Sequence, residues 1–130
     1  MVAKLIYPEL SYKIVGAAME VHRILGPGFL ESVVQKALAH ELTLLQLPFE
    51  QFKRLPVIYK GISVGDFEAD FVIDKKIILE LKAITEFHPK HEAQAINYLA
   101  ATGLQLAILL NFGADSLQYK RCINRNTIEA

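Results

Sequence analysis

The sequence lacks three features that each mark a class of protein. It has a single cysteine, Cys122, which excludes a disulfide framework and a Cys-x-x-Cys metal clip. Its 14 Lys and Arg residues balance 14 Asp and Glu residues, which argues against a protein held on DNA or an acidic membrane by bulk charge. Its longest apolar run, Leu104 to Leu110 with Gln105 inside it, is far shorter than the ~20 residues that span a bilayer.

The N-terminal segment from Met1 to Pro8 has neither the apolar core nor the cleavage site of a secretory signal peptide. Together with the lone cysteine, this predicts a soluble cytoplasmic protein with no membrane partner. The chain has 130 residues, of which 52% are hydrophobic and 22% charged, so it can bury a core. That length is typical of one domain, which we expect to cover residues 1–130.

Apolar periodicity predicts three helices and five strands. Spacings of i, i+3, i+4 and i+7 predict helices at about 12–25 and 30–45, and Pro89 and Gly103 bound a third. Alternation and short apolar runs predict strands that end at Tyr59 and Ile73, and others at 77–82, 104–111 and 117–123. This order predicts a mixed α/β sheet with helices packed on it.

The second and third strands are predicted to pair as a hairpin through the loop 74–76. The apolar rows coincide if Phe71 lies opposite Leu79, and this register places Asp70 opposite Glu80. Lys82 follows two residues later on the same face as Glu80. Strict alternation also predicts that two acidic residues share the face of Asp70, with four apolar residues on the other face: Asp66 and Glu68, against Phe67, Ala69, Phe71 and Ile73.

Opposed carboxylates predict a cation site. Side chains directly across a strand pair have Cβ atoms only ~4.5–5.5 Å apart, so two carboxylates there repel unless one is protonated or a cation lies between them. Oxygen ligands from Asp70 and Glu80 suit Mg²⁺ or Mn²⁺, and Lys82 is suited to orient a water or neutralise charge on a scissile phosphate. Spacing alone leaves the alternative open that these residues form the solvated face of a ribbon.

The third helix carries a second polar group. His91, Gln94 and Tyr98 follow at i, i+3 and i+7, on a face predicted to lie opposite Ile96 and Leu99. Gln94 and Tyr98 are suited to bind a phosphate or a base edge, and a polar helix face beside water is the alternative. Two basic groups are candidate phosphate contacts or solvated strand edges: Lys53, Arg54 and Lys60, and Lys120, Arg121 and Arg125.

Five ordered segments between about Ile14 and Arg121 carry a family resemblance. They are Gly26–Val34, Gly65–Asp70, Ile78–Ala83, His91–Leu99 and Asn111–Gly113. In this order they resemble the GxxExxY proteins, a small bacterial family placed in the PD-(D/E)xK nuclease superfamily. The resemblance implies a restriction-endonuclease-like fold, which is an α/β fold with a mixed central β-sheet flanked by α-helices.

The resemblance also implies catalytic residues. Asp70 matches the metal-binding aspartate of the superfamily, and Glu80 and Lys82 match its (D/E)xK pair. Glu31 is similar to the acidic residue that an upstream helix supplies. These four residues are therefore the predicted catalytic group, in which Asp70, Glu80 and Glu31 hold Mg²⁺ or Mn²⁺.

Further roles rest on a likeness to RecB-type nucleases. Gln94 and Tyr98 resemble their QxxxY element, which helps to hold the substrate strand, and His22 resembles a helical histidine that ligates metal in some of them. One position departs from the GxxExxY pattern, because Val34 stands where the family has Tyr. Val34 continues the apolar stripe predicted for the second helix, so we expect the fold to be kept and a supporting hydroxyl to be lost. That stripe is Leu30, Val33, Val34, Ala37, Leu38 and Leu42.

Two functions from different classes follow. The first is a nuclease that needs Mg²⁺ or Mn²⁺ and hydrolyses phosphodiester bonds in nucleic acid, with DNA favoured over RNA. The second is a catalytically inactive module of the same fold that binds nucleic acid or protein, which the zero net charge and Val34 favour. A homodimer is a further hypothesis, because cutting both strands of a duplex with single-site domains is simplest with two copies.

Overall fold

The computed structural model describes residues 6–125, which form three helices and five strands in the predicted order. The helices are α1 (Pro8–Leu25), α2 (Glu31–Leu44) and α3 (Pro89–Thr102). The strands are β1 (Phe49–Tyr59), β2 (Ile62–Ile73), β3 (Ile77–Lys82), β4 (Leu106–Asn111) and β5 (Gln118–Ile123). Residues 1–5 and 126–130 lie outside the described part. The first of these ranges holds most of the segment that we predict is not a signal peptide. The single domain over 1–130 also stays a prediction.

The five strands form one mixed sheet in the order β1-β2-β3-β4-β5. β3 and β4 are parallel and the other neighbours antiparallel, so α3 is the crossover that a parallel pair requires. The mixed α/β sheet predicted from the sequence is therefore confirmed. Within residues 6–125, no helix is both long enough and apolar enough to cross a membrane.

Two apolar clusters cover the two faces of the sheet. The α1–α2 face is the one on which Leu79 and Ile108 pack against Ile14 of α1 and Leu38 of α2. The opposite side, here called the α3 face, consists of Ala69, Val72, Ile78, Ala95, Leu99, Ala107, Leu109 and Cys122. Because successive side chains of a strand alternate, Ile78, Glu80 and Lys82 of β3 all lie on the α3 face.

The buried stripe of α2 differs from the prediction at its N-terminal end. Val34 is 1% exposed in the core, so the predicted apolar role of this residue is confirmed. The prediction that Leu30 and Val33 are buried is wrong, because α2 begins only at Glu31 and both residues are exposed at its N-terminal end. Gln35, which the apolar pattern passed over, is buried instead.

The β2–β3 hairpin has the predicted register. Phe71 is the partner of Leu79, and the pairing runs to Ile73 and Ile77, so residues 74–76 form the three-residue loop. Asp74 and Lys75 there have φ angles of 50° and 56°, the left-handed conformation that short hairpin loops need.

The prediction that Phe67, Ala69, Phe71 and Ile73 share one face of β2 is wrong. Phe71 and Ile73 pack on the α1–α2 face, whereas Phe67 and Ala69 pack on the α3 face. The alternation switches at Asp70, because the opposing residue of β1, Phe52, has a φ of 53°. The ladder there passes from the pair Gln51 and Phe71 directly to Lys53 and Ala69. The side chain of Asp70 therefore lies on the α3 face, the same face as that of Val72.

The segment Asn111–Gly113 fixes the chain that follows β3. Asn111 is fully buried, and its Oδ1 accepts hydrogen bonds from Ile84 N and Gly113 N, both at 3.0 Å. Its Nδ2 donates to Ile84 O at 3.0 Å and to Gln118 Oε1 at 2.9 Å, so the amide uses all four of its hydrogen-bonding positions. Phe112 N donates to Lys82 O at 2.8 Å. The resemblance segment thus has a structural role beside Lys82.

Replacing Gly113 with alanine is expected to lower the free energy of unfolding by about 3 kcal/mol. A Cβ at this position would overlap the backbone N and O of Ile84 and lie 2.6 Å from the carbonyl carbon of Ala83. Gly16→Ala is the matched control, since nothing lies within 4 Å of its Cβ and alanine is favoured over glycine inside a helix. Urea denaturation should show Gly16→Ala at or above wild-type stability; equal stability of the two variants would contradict the close approach.

Candidate active site

Asp70 and Glu80 meet where β2 and β3 stop pairing through their backbones. The ladder ends at Phe71 and Leu79, and the next residues along the two strands are Asp70 and Glu80. Beyond this point the Asp70 side chain replaces the ladder, because its Oδ2 accepts a hydrogen bond from Leu81 N at 2.8 Å. The two carboxylates predicted to be opposed are therefore brought together on the α3 face.

Glu80 is held in an environment that disfavours its charge. Burial, followed by the charge of Asp70, raises the pKa of Glu80 from 4.5 to about 8; Lys82 acts in the opposite direction, and a side-chain hydrogen bond with Asp70 and the charge of Glu31 add to the rise. Its Oε1 is buried and has no hydrogen-bond partner within residues 6–125. An orphaned buried acceptor of this kind is costly unless a proton or a cation satisfies it.

Lys82 projects from the same face of β3, next to the two carboxylates. Its charge opposes the rise in the pKa of Glu80. Burial lowers the pKa of His91, and the charge of Lys82 lowers it further. Across residues 6–125, Lys82 Nζ makes no ion pair within 4.0 Å with any acidic group. Its ammonium is therefore available for an anionic ligand, while its backbone is fixed through Phe112.

The first turns of α2 approach the carboxylates from the other side of the sheet edge. Glu31 is exposed and lies close enough for its charge to help raise the pKa of Glu80. One turn later, the buried Gln35 donates a long hydrogen bond of 3.4 Å from Nε2 to Asp70 O. Sequence reasoning missed Gln35, although its spacing of four residues from Glu31 and three from Leu38 was a usable signal.

His22 is buried at the C-terminal end of α1. Its Nε2 lies 2.8 Å from Ala114 O, and because a carbonyl oxygen only accepts, Nε2 carries the proton. Nδ1 is then the ring nitrogen with a lone pair. Metal-ligating histidines typically have this arrangement, in which one nitrogen donates to a carbonyl and the other faces the ion.

Tyr98 and Gln94 have different surroundings. The Tyr98 ring stacks on Phe67, with centroids 3.7 Å apart and planes 5° from parallel, and it packs in the cluster that contains Leu99. The predicted placement of Tyr98 opposite Leu99 is therefore wrong, because the two residues lie side by side at the edge of the buried stripe. Burial and, secondly, the Glu80 charge raise the pKa of Tyr98. Gln94 is exposed on α3.

The remaining predicted charges lie outside this group. Asp66 is exposed and bonded to Arg54 at 2.9 Å, and Glu68 is the exposed residue across from Arg54. Lys53 is paired with Glu50 at 2.8 Å. The solvated-face alternative therefore holds for Asp66 and Glu68 and fails for Asp70 and Glu80.

The described side chains bring together two carboxylates that could hold a metal ion, and they do not form a closed cage. Within residues 6–125, no three His, Cys, Asp or Glu side chains group closely enough to hold an ion by themselves. The predicted set of Asp70, Glu80, Glu31 and His22 is thus not assembled as one cluster, and of these four only Asp70 and Glu80 are brought together on the α3 face. A pair is sufficient for Mg²⁺, which commonly takes one or two carboxylates together with water and substrate phosphate.

Comparisons with known proteins identify the family and the fold. A sequence model of the PD-(D/E)XK nuclease superfamily matches residues 8–125. The fold is similar to that of an alkaline exonuclease (LHK-Exo) from Laribacter hongkongensis, with a TM-score of 0.54 and 12% identity over 86% of this chain and 69% of that one. Its complex with dAMP gives a TM-score of 0.52, at the same identity and coverage.

A second solved structure, that of SSO0001, has a TM-score of 0.56 and 19% identity, and the match covers 91% of this chain and 59% of that one. No curated protein matches the sequence significantly. The structural similarities confirm the predicted restriction-endonuclease-like fold, a mixed sheet flanked by helices. With a family match that spans 118 residues, from 8 to 125, the chain belongs to the PD-(D/E)XK nuclease superfamily.

Proposed function

We propose that this protein is a divalent-metal-dependent nuclease that hydrolyses phosphodiester bonds. The observation that carries the proposal is the buried, unpartnered Oε1 of Glu80 beside the carboxylate of Asp70. A purely structural carboxylate would be paired or exposed, because an unsatisfied buried acceptor costs about 1–3 kcal/mol. Perturbed groups of this kind concentrate at functional sites.

The donor set fits a hard divalent cation. Asp70 and Glu80 would hold Mg²⁺ or Mn²⁺ through carboxylate oxygens, and the family supports such an ion, since PD-(D/E)XK nucleases generally use divalent metals. When bound, the ion supplies positive charge that polarises the phosphodiester and acidifies water. Asp70 is already oriented for this role by Leu81 N.

The other predicted site residues have separate roles in this proposal. Lys82 stabilises the charge that develops on the phosphate and orients the attacking water. Glu31, at the start of α2, completes the acidic environment, and Nδ1 of His22 is a further candidate ligand. Tyr98 reaches towards Glu80 from α3, and Gln94, one turn earlier, contacts the substrate strand. These roles agree with the QxxxY resemblance and remain part of the proposal.

Several finer predictions are part of the same proposal. They are membership of the GxxExxY family, DNA as the preferred substrate over RNA, a homodimer and a cytoplasmic location. The first is supported by the structural role of Asn111–Gly113, one of the five resemblance segments, in fixing the chain after Lys82.

A nuclease panel tests the proposed function. Purified protein is incubated with Mn²⁺ or Mg²⁺ and linear, single-stranded or branched DNA, and with RNA, beside Glu80→Ala and Glu68→Ala. Cleavage of at least one substrate by wild type and Glu68→Ala is expected, with loss of about 10²-fold or more in Glu80→Ala. Equal activity of all three proteins would show that the cleavage does not come from this site. Mn²⁺ binding without cleavage of any substrate would favour the inactive binding module.

A further inference from the structure

A small cavity of about 140 Å³ opens at the start of α3, against β4 and β5. It lies between the start of α3 and the α3 face of the sheet, and its lining residues are Phe87, His88, Pro89, Glu92, Leu109 and Lys120. Its volume is close to the roughly 150 Å³ of a cavity that holds one benzene molecule. The space therefore suits a single six-membered ring.

The strand register places this cavity next to the catalytic group. Leu109, at its floor, is the direct partner of Glu80 on β3, and Lys120 is the direct partner of Leu109 on β5. Leu109 lies on the α3 face, and so does Lys120, because it alternates with Cys122. Neighbouring strands are about 4.8 Å apart, so the floor lies one strand from Glu80, within the reach of one nucleotide.

The rings of Phe87 and His88 line the cavity at the start of α3. His91 makes edge contacts with Phe87 and His88, each with ring centroids 6.4 Å apart. The two histidines are fixed by a reciprocal helix cap, in which His88 N donates to His91 Nδ1 at 3.0 Å and Lys90 N donates to His88 Nδ1 at 3.1 Å. Rings that are already held in place lose little conformational entropy when a base packs against them.

The outer wall supplies one donor and one acceptor. Lys120 Nζ and Glu92 Oε2 form an ion pair of 2.8 Å between β5 and α3, and both side chains remain partly exposed. An ammonium and a carboxylate beside an apolar floor match the mixed donors and acceptors on the edge of a nucleobase.

We propose that this cavity binds the nucleobase next to the scissile phosphate and favours a single-ring pyrimidine over a purine. The proposal rests on the proposed nuclease function, because the phosphate of that nucleotide would lie at Asp70 and Glu80. Base–aromatic contacts tolerate any sequence, since every base has a π-face. The limited volume adds the preference for one ring.

A binding experiment separates the base from the phosphate. The probes are thymidine 5′-monophosphate, dAMP and 2-deoxyribose 5-phosphate, titrated by NMR into the full chain with Ca²⁺. Wild type should bind thymidine monophosphate about tenfold more tightly than the sugar phosphate, from the contribution of one stacked base, and more tightly than dAMP. Phe87→Ala should remove most of that difference and leave the affinity for 2-deoxyribose 5-phosphate unchanged.

Two further variants keep the test decisive. Lys120→Met retains the aliphatic stem and should weaken the monophosphate alone, and Tyr59→Ala removes an exposed ring at the distant β1–β2 turn and should change nothing. Equal affinity of wild type for the nucleotide and the sugar phosphate, or no binding of either by protein that binds Mn²⁺, would overturn the base site. If wild type bound Mn²⁺ and cleaved nucleic acid but bound thymidine 5′-monophosphate and 2-deoxyribose 5-phosphate equally, the nuclease proposal would stand without the base site.

Discussion

Lys82→Ala is expected to slow phosphodiester cleavage by about 10²–10³-fold and to leave Mn²⁺ affinity unchanged or slightly higher. Lys82 lies on the α3 face beside Glu80 and opposes the rise in the pKa of that carboxyl. Its side chain is a cation, so it is not expected to bind a metal ion itself. Removing a positive charge beside two carboxylates cannot weaken their attraction for a divalent ion. The variant therefore separates chemistry from metal binding.

Lys90→Ala is the matched control, because Lys90 is an exposed lysine in the first turn of α3. Initial cleavage rates with saturating Mn²⁺, together with calorimetric Mn²⁺ titrations, provide both readouts. Lys90→Ala should keep the wild-type rate. If Lys82→Ala retained full activity, or lost activity only through weaker metal binding, Lys82 would not act on the phosphate or the water.

The metal-free protein is expected to become less stable as pH rises between about 4.5 and about 8. These are the ordinary pKa of Glu80 and the value to which burial and the charge of Asp70 raise it. In this window the unfolded chain releases the Glu80 proton while the folded protein retains it, so the folded state binds more protons. The stabilisation that comes from the retained Glu80 proton is complete below the lower pKa and is lost as pH rises through the upper pKa. Within the window the free energy of unfolding falls by at most about 1.4 kcal/mol per pH unit.

Glu80→Gln should remove most of this dependence. The amide stays neutral, so at the upper end of the window the metal-free variant should exceed wild type in the free energy of unfolding by on the order of 2 kcal/mol. Below the lower value the two proteins should be similar. A residue that is kept at the expense of stability is typical of a functional site.

Urea denaturation with a chelator at both ends of the window measures this effect. Glu68→Gln, which changes an exposed carboxylate on β2, should keep the wild-type pH dependence. Mn²⁺ should restore wild-type stability at the upper end, because an ion that binds only the folded state stabilises it, and it should not do so for Glu80→Gln. A Glu80→Gln protein that is less stable than wild type at every pH would contradict the raised pKa.

The central hairpin could be predicted from the sequence because a buried face determines strand register. With Phe71 opposite Leu79, the apolar rows of both strands reach the core, and a slip of one residue would bury Glu80 among apolar side chains. The structure has this register. The position of Asp70 opposite Glu80 follows from this apolar register, and the hydrogen bond from Leu81 N holds the Asp70 carboxylate there.

The switch of face at Asp70 could not be predicted in the same way. It depends on the positive φ of Phe52 in the neighbouring strand, and phenylalanine carries no local preference for that conformation. Strict alternation therefore placed Ala69 with Phe71, whereas the two residues pack on opposite faces of the sheet. Irregular pairing next to an active site is a common way to redirect a side chain.

Long-range polar contacts were the other part that the sequence pattern did not show. Asn111 contacts Ile84, 27 residues away along the chain, and Gln35 contacts Asp70, 35 residues away. Each contact exists only once the sheet and helices are assembled. Together they explain why a buried Asn and a buried Gln are accommodated in an apolar core.

Calorimetric titration of Mn²⁺ into the wild-type protein near neutral pH, repeated with Glu80→Ala, tests most directly whether Asp70 and Glu80 form a metal site. We predict saturable binding at millimolar concentrations or below, with an enthalpy that changes with the buffer because the raised pKa of Glu80 means that metal binding releases its proton. Glu80→Ala should lose both the binding and the proton release. Absence of saturable binding in the wild-type protein, or identical binding in Glu80→Ala, would contradict the metal site and the nuclease function built on it.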